Sequence, residues 1–161
     1  MRLSEWQSRS ASADALAPKV LARAVEALTL LGADRDPDCW IFWGDDPAAR
    51  YTVMAPAAVG LAVVNMRVNV PGEGPRAAGK VVRWPRVSVG ELSVEIQGGH
   101  HLITFQVESQ LMRGTEDEAA EVARFAGVIL AAIDGRQAPA DRAIELPGPV
   151  ALEDAGGVGA R

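Results

Sequence analysis

The chain has 161 residues, 48% of them hydrophobic, a formal net charge of −5 and a single cysteine. That size suits one domain with a sizeable core. The acidic balance disfavours nucleic acid and anionic lipid as partners, because both need a cationic field. One cysteine excludes an intramolecular disulfide and a cysteine-rich metal site.

Residues 1–13 are rich in Ser and Ala and lack periodicity, so they read as a flexible N-terminal arm with one aromatic, Trp6. The start carries Arg2, Glu5 and Arg9 and no long apolar run, so it does not read as a secretory signal. No stretch is long and apolar enough to suggest a membrane span, and a cytoplasmic location is expected; the Arg, Ala, Gly and Val usage suggests a bacterial source. The domain proper is placed at 14–135, and 136–161 is read as a mostly disordered tail because breakers interrupt every period there.

From about Pro18 to Leu31, Leu21, Ala24, Leu28 and Leu31 share one helical face, with Pro18 suited to the first turn and Gly32 to the stop. Cys39 to Trp43 is an aromatic run between turn-forming brackets and reads as a strand. A second strand, Arg50 to Ala55, is expected to end at Pro56, and a third runs from Leu61 to Val70 with Ala62, Val64 and Met66 on one apolar face. After the loop Pro71–Pro75, strands are predicted at about Lys80–Trp84, Ser88–Gln97 and His101–Glu108, the last two joined by a Gly98–Gly99 hairpin turn. Thr115-Glu-Asp-Glu118 has the spacing of a capping box. The helix it opens carries Val122, Phe125, Ile129 and Ile133 on one stripe, worth roughly 6–12 kcal/mol when buried and before entropy is subtracted, and Gly135 is its expected stop.

Consecutive strands without intervening helices imply an α+β fold with an antiparallel meander. The expectation is one strongly curled sheet or partial barrel, with an N-terminal helix and a C-terminal capping helix. From Trp40 to Ile133 this layout resembles the bacterial pleckstrin-homology-like (PH-like) domains of unknown function. The strands around Tyr51–Val53 and Gly60–Val64 stand for the opening hairpins, Trp84-Pro-Arg-Val87 leads into a later strand, His101–Phe105 is the last strand and Thr115–Ile133 the closing helix. Lipid-binding members of that superfold carry clustered Lys and Arg in the first hairpin loop; this chain has Gly44-Asp45-Asp46 and Arg50 there, so phosphoinositide binding is not expected. A second layout resemblance is to secretion-chaperone-like domains, which bind a client protein through a sheet flanked by helices.

No catalytic constellation stands out, and no cofactor or metal is expected. His100 and His101 are adjacent on a strand, so they point to opposite faces and cannot readily share a metal. Cys39, beside Trp40, reads as a small buried residue in preference to a nucleophile. Asp34, Asp36 and Asp38 have the spacing that opens a calcium loop, but Trp40 and Asp45 stand where its glycine and bidentate glutamate belong. Pro71–Pro75 lacks the Lys-Ser/Thr ending of a phosphate loop. The contact candidates are Arg76, Lys80, Arg83 and Arg86, a basic run against the acidic whole, and Trp43, one of the aromatics suited to an interface together with Trp40 and Trp84. The leading expectation is therefore a non-catalytic protein-interaction domain, with self-association among its contacts. The alternatives are a small-molecule binder or enzyme using the barrel mouth, with His100, His101 or Cys39 in its site, and a chaperone-like client binder.

Overall fold

A computed structural model of the chain describes residues 2–3, 18–45, 50–68, 72 and 76–136. Helix α1 spans Pro18–Leu30. Seven strands follow: β1 Ile41–Asp45, β2 Arg50–Ala57, β3 Gly60–Arg67, β4 Arg76–Arg83, β5 Val89–Gln97, β6 His100–Val107 and β7 Gln110–Thr115. A single 3-10 turn, Trp84–Arg86, separates β4 from β5, and helix α2, Asp117–Ile133, closes the series.

The strands do not form the single curled sheet expected from their order. They make two antiparallel sheets, β1-β2-β3-β4 and β5-β6-β7, neither closed on itself. The break falls at Trp84-Pro85-Arg86, where proline enters a 3-10 turn and the chain leaves the first sheet before β5 begins.

Both helices end as their glycines require. Ala33 N–H donates to Leu28 O at 3.0 Å and Gly32 N–H to Thr29 O at 3.0 Å, with Gly32 at φ 85°. Arg136 N–H to Ala131 O and Gly135 N–H to Ala132 O repeat the pattern at α2, with Gly135 at φ 65°. These are paired Schellman bonds, and only a residue without Cβ adopts that φ at no cost.

Three local expectations are corrected. Pro56 lies inside β2, paired with Leu61. It is tolerated because β1 pairs with β2 only as far as Met54, so the donor that proline lacks would have faced no strand. Strand β7 was hidden because the β6–β7 turn uses Glu108 and Ser109, at φ 60° and 118°, where a glycine signal would be expected. The capping box is absent as such: Thr115 is held in the ladder opposite Leu102, and Glu116 takes the N-cap position with no side-chain cap bond.

Two cores result. In the first, Leu21, Ala24 and Leu28 of α1 pack on Val53, Ala55, Ala62, Val64 and Met66 of the first sheet. Leu3 joins this core and donates its N–H to Pro37 O at 3.1 Å, so the start of the expected loose arm is tied down at that residue. In the second, Met54, Leu61 and Val63 on the opposite face meet Ile103, Phe105 and Val107 of β6 and Val122, Phe125 and Ile129 of α2. The four residues Leu61–Val64 are therefore all buried, although only one face was expected to be. Apart from Arg2 and Arg136, the rest of the expected arm and tail lies outside the described residues.

Candidate interaction surface

The basic run does not form one cluster. Antiparallel register places Lys80 opposite Val63 and Arg76 opposite Arg67, on the face toward the second core, whereas Arg83 lies opposite Gly60 on the α1 side. Lys80 Nζ stands 3.9 Å from Glu108 Oε2, and Arg86 ends the 3-10 turn. Alternation along β4 thus divides residues that are close in sequence. Trp43 sits opposite Thr52 and is half-buried against the second core.

The remaining titratable candidates have local partners. Cys39 is buried, and loss of solvation pushes its thiol up to about 12, against the opposing pull of Arg124. A thiol in that state is neutral and a poor nucleophile near neutral pH. Arg124 holds the preceding residue, donating to Asp38 O at 2.7 Å and approaching Asp38 Oδ2 at 3.5 Å. Asp34 Oδ1 accepts from Asp36 N–H at 2.9 Å, which closes an Asx turn. His100 Nδ1 lies 3.0 Å from Glu116 Oε1, while His101 pairs with Ile96 on the other face of β6. Among the described residues, no group of three or more His, Cys, Asp and Glu side chains is placed to hold a metal ion. Asp46 and the Asp45 side chain lie outside the described residues.

A cleft of about 570 Å³ opens between the edge strand β1, strand β7 and the start of α2. Trp40 to Trp43 and Leu111 to Arg113 line it from the two strands, and Asp117, Glu118 and Glu121 from the helix. Its lining is mainly apolar, with three carboxylates and the Arg113 guanidinium. Neither histidine nor Cys39 lines it.

The most unusual surface is on β5. Register places Leu92 opposite Phe105, Val94 opposite Ile103 and Ile96 opposite His101, so these three share the face on which α2 lies. Phe105 and Ile103 are 0% and 2% exposed, whereas Leu92, Val94 and Ile96 are 50%, 62% and 62% exposed. The difference comes from where α2 lands: it packs across β7 and β6 and stops short of β5. Strand β5 is also the edge of its sheet, hydrogen-bonded within the described residues to β6 alone. The far row of β5, Ser93, Glu95 and Gln97, is polar. An apolar row beside unpaired main-chain donors and acceptors is a template for another strand. The sequence shows this stretch as a strand without assigning its faces.

No described helix is long and apolar enough to cross a membrane. In comparisons with protein-family models, with curated proteins and with solved structures, nothing matches this chain.

Proposed function

We propose that the chain is a PH-like, non-catalytic protein-interaction domain that engages its partners through the free edge of β5. The observation that carries this reading is the exposure of Leu92, Val94 and Ile96 on a face where the neighbouring strand buries Ile103 and Phe105. Soluble domains blunt such edges with lysine, proline or a covering element. From Leu92 to Gln97, β5 carries no lysine or proline, and no described element covers it. The two consecutive meanders closed by one amphipathic helix support the PH-like layout.

The test uses the full chain as bait in cells of its native host, alongside a Val94→Glu variant. Captured proteins are identified by mass spectrometry and rebuilt from purified components, a second copy of the chain included. The expected result is at least one purified partner whose binding falls about tenfold or more with Val94→Glu. A partner set that the variant leaves unchanged would overturn the reading.

The cleft beside β1 favours a second reading, a binder of a small apolar molecule carrying a positive charge. Aromatic walls suit the apolar part, and Asp117, Glu118 and Glu121 suit the charge. Isothermal titration with hydrophobic amines separates the two: saturable heat lost in Glu121→Gln and kept in Val94→Glu supports this reading, and no heat removes it.

A further inference from the structure

Resting on the β5 reading above, we infer that the partner is a second copy of this chain, paired antiparallel through β5 about a twofold axis at Val94. The sequence of β5 singles out both the partner and the register.

In an antiparallel pair, residues directly opposite each other point to the same face. A twofold at Val94 puts Val94 opposite its own symmetry mate and Leu92 opposite Ile96 of the other copy. Every exposed apolar residue of the stripe then meets an apolar residue. On the other face, Glu95 meets Ser93. No carboxylate faces another.

The neighbouring registers lose on one count or both. An axis at Ser93 carries the pairing into the bulge and leaves Ile96 opposite Gly90. An axis at Glu95 sets that carboxylate against itself and leaves Leu92 opposite Gly98. An axis shifted by half a step turns one copy over and lays its polar row beside the other copy's stripe, since a one-residue slip exchanges the faces. Like charges directly opposite are destabilising, so the Val94 register is preferred on charge as well as on apolar contact.

The geometry of the strand permits the pairing. The bulge between Val89 and Leu92 confines its irregularity to one end, leaving Leu92–Gln97 in regular register with β6. Two such edges join two three-stranded sheets into one of six. A twofold contact is self-complementary by construction, and it removes the free edge in both copies at once.

The interface is small, so the expected dissociation constant is on the order of 1–100 μM. Sedimentation of the full chain across that range should show a monomer–dimer equilibrium. Val94→Glu places two carboxylates on the axis and should weaken the dimer by more than about tenfold. Its far-ultraviolet circular dichroism should be unchanged, because Val94 is 62% exposed. Val94→Cys reads the register directly: on mild oxidation it should form an intermolecular disulfide, since residues opposite on the axis lie within bridging distance. Ser93→Cys and Glu95→Cys should cross-link far more slowly.

Preferred cross-linking at Ser93 or Glu95 would overturn the register. A strict monomer at the highest concentration would overturn self-pairing. If that monomer still captured another protein in a Val94-dependent way, the broader β5 reading would survive. Loss of both dimer and Val94-dependent capture would remove the two together.

Discussion

Lys80 and Glu108 meet across the gap between the two sheets, with Nζ 3.9 Å from Oε2. The other carboxylate oxygen of Glu108 accepts from Ser88 N–H at 2.9 Å, and Glu108 N–H donates back to Ser88 O at 2.8 Å. One side chain therefore ties the β6–β7 turn to the entry of β5 and to β4. The two bonds are unequal. Lys80 is 65% exposed, so its ion pair is well screened, whereas the Ser88 bond closes a reciprocal main-chain clamp. Glu108→Ala should cost about 0.5–1.5 kcal/mol in urea unfolding. Lys80→Ala should stay within about 0.5 kcal/mol. The reverse ranking would mean that the ion pair dominates.

Gly114 is where α2 comes down on β7. A Cβ there would meet Glu118 C and O at 2.5 Å and Ala119 N at 2.8 Å, all main-chain atoms of the first helical turn. Backbone cannot step aside as a side chain can. Gly114→Ala should lower stability by about 1–3 kcal/mol, read as a fall in melting temperature. An unchanged melting temperature would show that the helix start can shift freely.

Phe105 and Phe125 anchor the second core, with ring centroids 6.5 Å apart in an edge-on arrangement. Both are essentially fully buried, at 0% and 1% exposure. Phe125→Ala removes the aromatic contact and leaves a cavity between α2 and β6. It should cost about 3–5 kcal/mol by denaturant titration. Val94→Ala, on the uncovered part of the same sheet face, should cost much less. Equal losses would mean that β5 is covered in solution even in the monomer.

Cys39 makes stability sensitive to alkaline pH. Its folded-state pKa lies above the ordinary thiol value of 9.0, raised to about 12 by burial. The neutral thiol is favoured in the fold, so the stabilisation is complete below the unfolded pKa. As pH rises from about 9 toward about 12, the unfolded chain gives up its proton first and stability falls. Cys39→Ala should flatten that part of the pH profile. A thiol reagent at pH 8 should also react with native protein far more slowly than with protein in urea. Rapid native labelling would contradict the burial.

Much of the local architecture was legible along the chain. Gly32 and Gly135 mark the helix ends, and Gly98 and Gly99, at φ 63° and 86°, form the β5–β6 hairpin turn. The apolar stripe of α2 is buried as its spacing implied, at Val122, Phe125 and Ile129. Other features were not legible. The turn at Glu108 and Ser109 carries no glycine, so β7 gave no signal. The basic residues of β4 looked like one patch until alternation separated Lys80 from Arg83.

The candidate site shows the same division. That Leu92, Val94 and Ile96 share a face follows from a side-chain period of two, a property of the extended backbone within a few residues. Helix caps and hairpin turns are encoded in the same short-range way, through φ preferences and nearby main-chain hydrogen bonds. Whether that face is covered is different in kind. It depends on where α2, which starts some twenty residues after the end of β5, comes to rest, and on the break at Trp84–Arg86 that splits one meander into two sheets. Those are packing outcomes set by contacts between distant parts of the chain. They bury Phe105 and leave Val94 open, though the local pattern treats the two alike.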